Sequence, residues 1–309
     1  MRKIFVGLAI LAVVAVACAP EDEGTGATGA TSTGGTGATG ATGSPSADPC
    51  ATDQLNLVSA GMLTVGTGNP AYPPWWSGGE SDEHSEWKIN DPHKLEGFEG
   101  AVVGALAQQL GFATDQVAFV EVPFNKSFAP GPKDFDFVLQ QISYSEKRAQ
   151  SVDFSESYYD VNQALVSVKG SSIEGATSFA DLSEARLGAP IGTTSYDYIV
   201  DNIQPNVEPA VYDDLNGAVQ DLKSGQLDGI VVDLPTAFFI TAVQIPKGVI
   251  VGQFPTVGQQ EYFALAFGKG NPLVACVDTA LEGLKTDGTL ASIQQEWLSD
   301  KASAPVISS

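Results

Sequence analysis

Basic residues are scarce in this chain. Fifteen Lys and Arg stand against 37 Asp and Glu in 309 residues, a formal net charge of −22 with a pI near 4.2. A polyphosphate partner needs a basic face, so nucleic acid is excluded. Two His and three Cys leave little material for a zinc site. His84 and His93 lie nine residues apart among acidic neighbours, and no Cys or further His joins them, so no metal is expected there. Catalytic signatures are missing too: there is no Gly-x-Ser-x-Gly, no Walker loop, no Cys-x-x-Cys and no His beside a nucleophile. No catalytic residue and no cofactor are expected. The uncharged run Ile4–Ala17 has 14 residues, short of the ~20 that a bilayer helix needs. What is present is a globular composition. Hydrophobic residues make up 43%, and 15 Phe, 8 Tyr and 4 Trp are too many for a disordered chain. This length suits two lobes better than one.

The N-terminus reads as a targeting signal. Met1-Arg2-Lys3 is a basic n-region and Ile4–Ala17 an h-region. Ala15-Val16-Ala17-Cys18 resembles a bacterial lipobox, which implies cleavage before Cys18 and a diacylglyceryl anchor on it. The alternative is an ordinary signal cleaved near Ala17 or Ala19. Residues 18–49 read as a tether, with only Gly, Ala, Thr and Ser from Gly24 to Gly43. Such a segment buries too little apolar surface to fold, and its r.m.s. span is roughly 30 Å. Cys50 and Cys276 are the thiols left after lipidation. Export favours their pairing as a disulfide, the alternative being two free thiols.

Beyond Cys50 the pattern alternates. Strands are expected at Leu63–Thr67, Val117–Val122, Asp136–Leu139, Ala164–Val168, Arg186–Ile191, Gly229–Asp233 and Tyr262–Phe267. Helices are expected at Phe98–Leu110, Ser195–Asn202, Asn216–Gly225, Val274–Leu284 and Thr289–Leu298. This order predicts an α/β fold with largely parallel sheets.

Six spaced elements then carry a resemblance. They are Leu63-Thr64-Val65-Gly66-Thr67 with Tyr72-Pro73-Pro74-Trp75, Leu95-Glu96-Gly97-Phe98-Glu99-Gly100, Ile142-Ser143-Tyr144-Ser145-Glu146-Lys147-Arg148, Val152-Asp153-Phe154-Ser155, Gly192-Thr193-Thr194, and Leu222–Asp228 running into Val231-Val232-Asp233. In this order they resemble the family 3 extracellular solute-binding proteins, the receptors of amino-acid ABC importers. The resemblance covers roughly residues 60–300. It implies a two-lobed periplasmic-binding-protein-like fold (type II), with two α/β lobes joined by two crossing strands around a ligand cleft. Lobe 1 is expected at 50–167 and 260–301, lobe 2 at 168–259, and a C-terminal tail at 302–309. The first crossing is placed near Ser167–Gly170 and the return near Val257–Tyr262.

The resemblance also implies a site. A free amino acid carries a carboxylate and an ammonium on one carbon, so its receptor needs a fixed cation and a fixed anion close together. Arg148 is the candidate carboxylate clamp, because its planar fork suits bidentate pairing. Asp233 is the candidate ammonium acceptor. Thr193, Thr194 and Ser143 are candidates for further polar contacts, and Tyr72, Phe124 and Trp75 for the side-chain wall. Taken alone, Arg148 reads as a surface charge, Asp233 as a turn residue, Thr193 as a helix cap and the aromatics as packing. Residues 77–96, residues 123–136 and Gln140-Gln141 depart from the family pattern. The implied protein is a monomeric receptor, lipid-anchored outside the cytoplasm, that hands its ligand to ABC permease subunits. The alternatives are an enzyme like the cyclohexadienyl dehydratases, with Glu121 or Glu99 as general acid, and a sensing module for a signalling partner.

Overall fold

The structure is a computed structural model that describes residues 48–298 and 304–309. The signal, Cys18 and most of the tether lie outside the described residues.

The first sheet collects β1 (Leu63–Thr67), β2 (Val117–Glu121), β3 (Phe137–Val138), β4 (Val152–Asp160) and β10 (Tyr262–Gly268), in the order β2-β1-β3-β10-β4. The second collects β5 (Gln163–Val168), β6 (Leu187–Pro190), β7 (Ala210–Tyr212), β8 (Gly229–Asp233) and β9 (Gly248–Gln253), in the order β7-β6-β8-β5-β9. In each sheet three strands run parallel and two crossing strands pair antiparallel. β1 and β8 are apolar because helices cover both sheet faces, which hides side chains on both sides of a parallel strand. β4 and β9 were not expected. β4 runs along a sheet edge, and Ser155-Glu156-Ser157 and Tyr158-Tyr159 break the alternation that marks a strand.

The outward crossing differs from expectation, while the return falls where it was expected. β5 pairs with β8 and β9, so it belongs to lobe 2 and not to lobe 1. The outward crossing therefore runs between Asp160 and Gln163, not near 167–170, and the return runs between Gln253 and Tyr262. The reason is packing. The apolar run Ala164-Leu165-Val166 is buried in the lobe 2 core, so the chain has crossed before it begins. The tail also departs from a free end. Ile307 is 1% exposed in the lobe 2 core, and Gln253 and Ile307 exchange backbone hydrogen bonds with the tail and β9.

Helix α1 (Phe98–Gln109) buries Phe98, Val102, Val103 and Leu106 against the first sheet. Its entry demands glycine. Gly97 has φ +91°, and a Cβ there would sit 2.5 Å from the Trp75 carbonyl oxygen. Phe98 N and Glu99 N donate to Pro74 O and Trp75 O, which fixes the 72–76 loop on the helix start. α7 (Leu273–Thr286) and α8 (Thr289–Leu298) complete lobe 1, and the Cys50–Cys276 disulfide, with Cα atoms 5.4 Å apart, joins the start of the body to α7.

The 77–96 insertion is an ordered loop. Trp87 is buried, Asn90 Nδ2 donates to Ala71 O at 2.8 Å, and Ala71 N donates to Lys88 O at 3.1 Å. The insertion thereby braces the 68–72 segment.

Candidate functional site

A cavity of about 250 Å³ lies between the sheets, at the carboxyl ends of their parallel strands. Its lining draws on both lobes: Phe124, Gln141, Ser143 and Arg148 from lobe 1, and Thr193, Thr194 and Asp233 from lobe 2.

Arg148 lies in the short helix α3 (Glu146–Ala149), capped by Ser145 Oγ, which accepts from Arg148 N at 3.2 Å. Arg148 is 8% exposed. Nη1 donates to Ser143 O at 2.6 Å, and Nη2 crosses the cleft to Gly192 O at 2.8 Å. The Phe124 and Phe128 ring centres lie 5.5 and 4.3 Å from its Cζ. Phe124 stands in the short helix α2 (Phe124–Ser127) and Phe128 just after it. Burial pushes the Arg148 pKa down to about 10, against the pull of Asp197 and Glu261, so it stays charged at neutral pH. The two backbone carbonyls and two rings hold a cation whose remaining N–H donors are available to an anion.

Asp233 ends β8 and caps α6 (Leu234–Phe239), its Oδ1 accepting from Thr236 N at 2.9 Å. Burial pushes its carboxyl up to about 6, and the neighbouring Glu261 charge adds to that rise. A ligand ammonium would reverse the shift by supplying the missing counter-charge.

Between these charges runs a polar network that sequence reasoning missed. Ser143 Oγ donates to Glu261 Oε1 at 2.6 Å, Gln163 Nε2 donates to Glu261 Oε2 at 2.9 Å, and Ser195 Oγ donates to Gln163 Oε1 at 2.7 Å. Thr194 Oγ1 lies 3.3 Å from Ser143 Oγ. Thr193 Oγ1 donates to Pro190 O at 2.7 Å and accepts from Tyr196 N at 3.1 Å, capping α4 (Thr194–Tyr198). Its hydroxyl is therefore occupied, and the helix-cap role is present alongside any ligand role.

The aromatic candidates divide. Phe124 lines the cavity. Tyr72 is not in the cavity lining; its hydroxyl reaches lobe 2 and accepts from Asn216 Nδ2, in α5 (Leu215–Ser224), at 2.9 Å. Trp75 does not line the cavity. It is 3% exposed and packs edge-on against Phe98, Tyr159 and Phe263 in the lobe 1 core, because α1 draws its backbone inward. Glu99 is fully buried, accepting from Tyr158 Oη and from Gln141, and burial pushes it up to about 7. Gln141 holds φ +52°, and Gln140 Nε2 donates to Val122 O and Ser127 Oγ, so this pair shapes the cavity floor.

The comparisons agree with this geometry. The family model for bacterial extracellular solute-binding proteins, family 3, matches residues 79–300. The L-cystine-binding protein TcyJ of Escherichia coli (strain K12) is 30% identical over 241 residues, covering 77% of this chain and 82% of the relative. The ABC transporter arginine-binding protein 1 of the same organism is 28% identical over 233 residues, covering 73% and 86%. Among solved structures, an ancestral arginine-binding protein bound to arginine superposes with a TM-score of 0.61 at 30% identity, covering 77% of this chain and 98% of that one. The chain belongs to family 3 of the bacterial extracellular solute-binding proteins.

Proposed function

We propose that the protein is the extracytoplasmic receptor of an ABC importer and that it captures a free amino acid between its lobes. One observation carries the reading: a buried cation, Arg148, and a carboxylate, Asp233, line one cavity from opposite lobes. Arg148 takes the ligand carboxylate, Asp233 the ammonium, and Thr194 and Ser143 add hydroxyls. Phe124 forms part of the side-chain wall and Tyr72 links the lobes through Asn216. The lining also holds Asn125, Gln141, Asp213 and Asp214, which favours a side chain ending in hydrogen-bond donors. The arginine and L-cystine named for the two relatives are both long and polar at the far end.

A dehydratase on this scaffold is the weaker reading. Glu99 is buried against Tyr158, and Glu121 is tied to Asn69 on the exposed edge; neither lines the cavity. That leaves both glutamates proposed as general acid away from a cavity-bound substrate. Anchoring through a lipid on Cys18, with the 18–49 segment as a spacer, completes the proposal.

The test is a calorimetric titration of unfolded and refolded protein with the common amino acids. One-to-one binding of one or a few of them, lost in Asp233→Ala, is the expected result. A refolded protein that binds none of them overturns the assignment. Turnover of prephenate or arogenate would move it to the enzyme.

A further inference from the structure

The 77–96 insertion brings together groups that the amino-acid site does not use. His84 and His93 stack face to face, with ring centres 3.6 Å apart and planes 11° from parallel. Asp91 is 3% exposed beneath them, and its Oδ1 lies 2.8 Å from His93 Nδ1. A ring nitrogen from each histidine and an oxygen of Asp91 all lie within 4.8 Å of one another. We propose that His84, Asp91 and His93 form a binding site for a borderline divalent transition cation, with Zn²⁺ the best fit.

Three arguments support this. The donor set is two imidazoles and a carboxylate, which suits Zn²⁺, Co²⁺, Ni²⁺ or Cu²⁺ and is too nitrogen-rich for Ca²⁺ or Mg²⁺. The loop that carries the three groups is held in place. Ser81 Oγ donates to Asp91 Oδ2 at 2.5 Å and accepts from His84 N at 3.2 Å, while the His93 ring lies edge-on to Phe119 at 5.0 Å. Asp91 N is held by Gly79 O at 3.0 Å, which locks both ends of the loop. The surrounding charge favours a cation, since residues 77–96 hold six acids against two lysines. Tetrahedral ligation near 2.0–2.1 Å places neighbouring ligand atoms about 3.3 Å apart, so atoms as far as 4.8 Å apart must close by up to about 1.5 Å, and one imidazole must turn out of the stack because its lone pair lies in the ring plane. Both histidines are partly exposed, at 29% and 23%, which leaves room for that movement and for a water in the fourth position. The spacing hid the site, because its third ligand is an aspartate between the histidines in a loop that folds back on itself.

The experiment is a Co²⁺ titration of the chelator-stripped full chain, followed by displacement with Zn²⁺. The expected result is one equivalent bound at micromolar concentration with visible d–d absorption. His84→Gln and His93→Gln should each weaken uptake at least tenfold while amino-acid binding, the check on folding, persists. X-ray absorption of the Zn²⁺-loaded wild type should count two imidazoles. No uptake at micromolar metal, unchanged uptake in the double His84→Gln/His93→Gln protein, or fewer than two imidazoles overturns the proposal.

Discussion

The two lobes share one strand arrangement and differ in what they bring to the cleft. Strand for strand, β2-β1-β3-β10-β4 corresponds to β7-β6-β8-β5-β9, with a crossing strand inserted fourth in each sheet. Lobe 1 buries Trp75, Trp76, Trp87 and Phe98 in one large cluster, with a smaller one on the opposite face. Lobe 2 splits its core into two more even and mostly aliphatic clusters. Lobe 1 contributes a cation held by aromatic rings and carbonyls. Lobe 2 contributes an anion and hydroxyls at the ends of β6 and β8. A shared topology therefore supplies a matched pair of strand ends, and the local sequence decides the sign of charge that each presents. On the proposed assignment of Arg148 and Asp233, both halves of a zwitterion would be held only when the lobes meet, which would couple capture to closure.

The largest effect should separate the lobes in stability. Cys50→Ser/Cys276→Ser opens a loop of 226 residues that includes every strand of lobe 2 yet is clasped in lobe 1. Chain entropy predicts a loss of about 5 kcal/mol. Denaturant unfolding followed by tryptophan fluorescence checks it, and all four tryptophans stand in lobe 1. An unchanged midpoint would contradict the clasp.

Arg148→Ala should come next. It removes the clamp and leaves Ser143 O and Gly192 O without their donor, so affinity for a carboxylate ligand should fall by about 2–5 kcal/mol. Arg148→Lys should recover part of this, since it restores charge without the fork. Retained affinity in calorimetry would sink the clamp.

The lobe 2 anion should show itself through pH. In the ligand-free protein the Asp233 carboxyl is raised to about 6, and an ammonium binds its ionised form. Affinity is then near constant above pH 6 and falls up to tenfold, about 1.4 kcal/mol, per unit below it until the lower pKa of the ligand-bound carboxyl is reached. Asp233→Asn should bind weakly with no such slope. A slope that survives the substitution would place the titrating group elsewhere. The smallest effect should be Tyr72→Phe, which removes the hydrogen bond to Asn216 and should speed ligand release by about fivefold, about 1 kcal/mol. Stopped-flow dissociation measures it.

Legibility followed burial. β1, β5 and β8 were readable because buried strands are apolar along their length. β4, with Ser155, Glu156 and Ser157 in its middle, was not, and the lobe boundary was misplaced with it. Arg148 and Asp233 were readable only through the ordered resemblance, since the groups that make Arg148 a buried cation, Phe124 and Phe128, stand about twenty residues upstream. Glu261 had no local signal, because its partners Ser143 and Gln163 stand 118 and 98 residues away in the chain. The Trp75 assignment failed for a comparable reason: a loop aromatic points inward or outward according to how the next helix holds its backbone.

The tail leaves the body with its two ends on different lobes. Cys50, Leu55 and Leu57 pack on lobe 1, whereas Ile307 is seated in lobe 2. A hinge rotation between the lobes would change the separation between residues 48 and 309, which makes the molecule a strain gauge. Donor and acceptor dyes attached near residues 48 and 309 would read ligand capture as a change in energy transfer, with no probe inside the cleft.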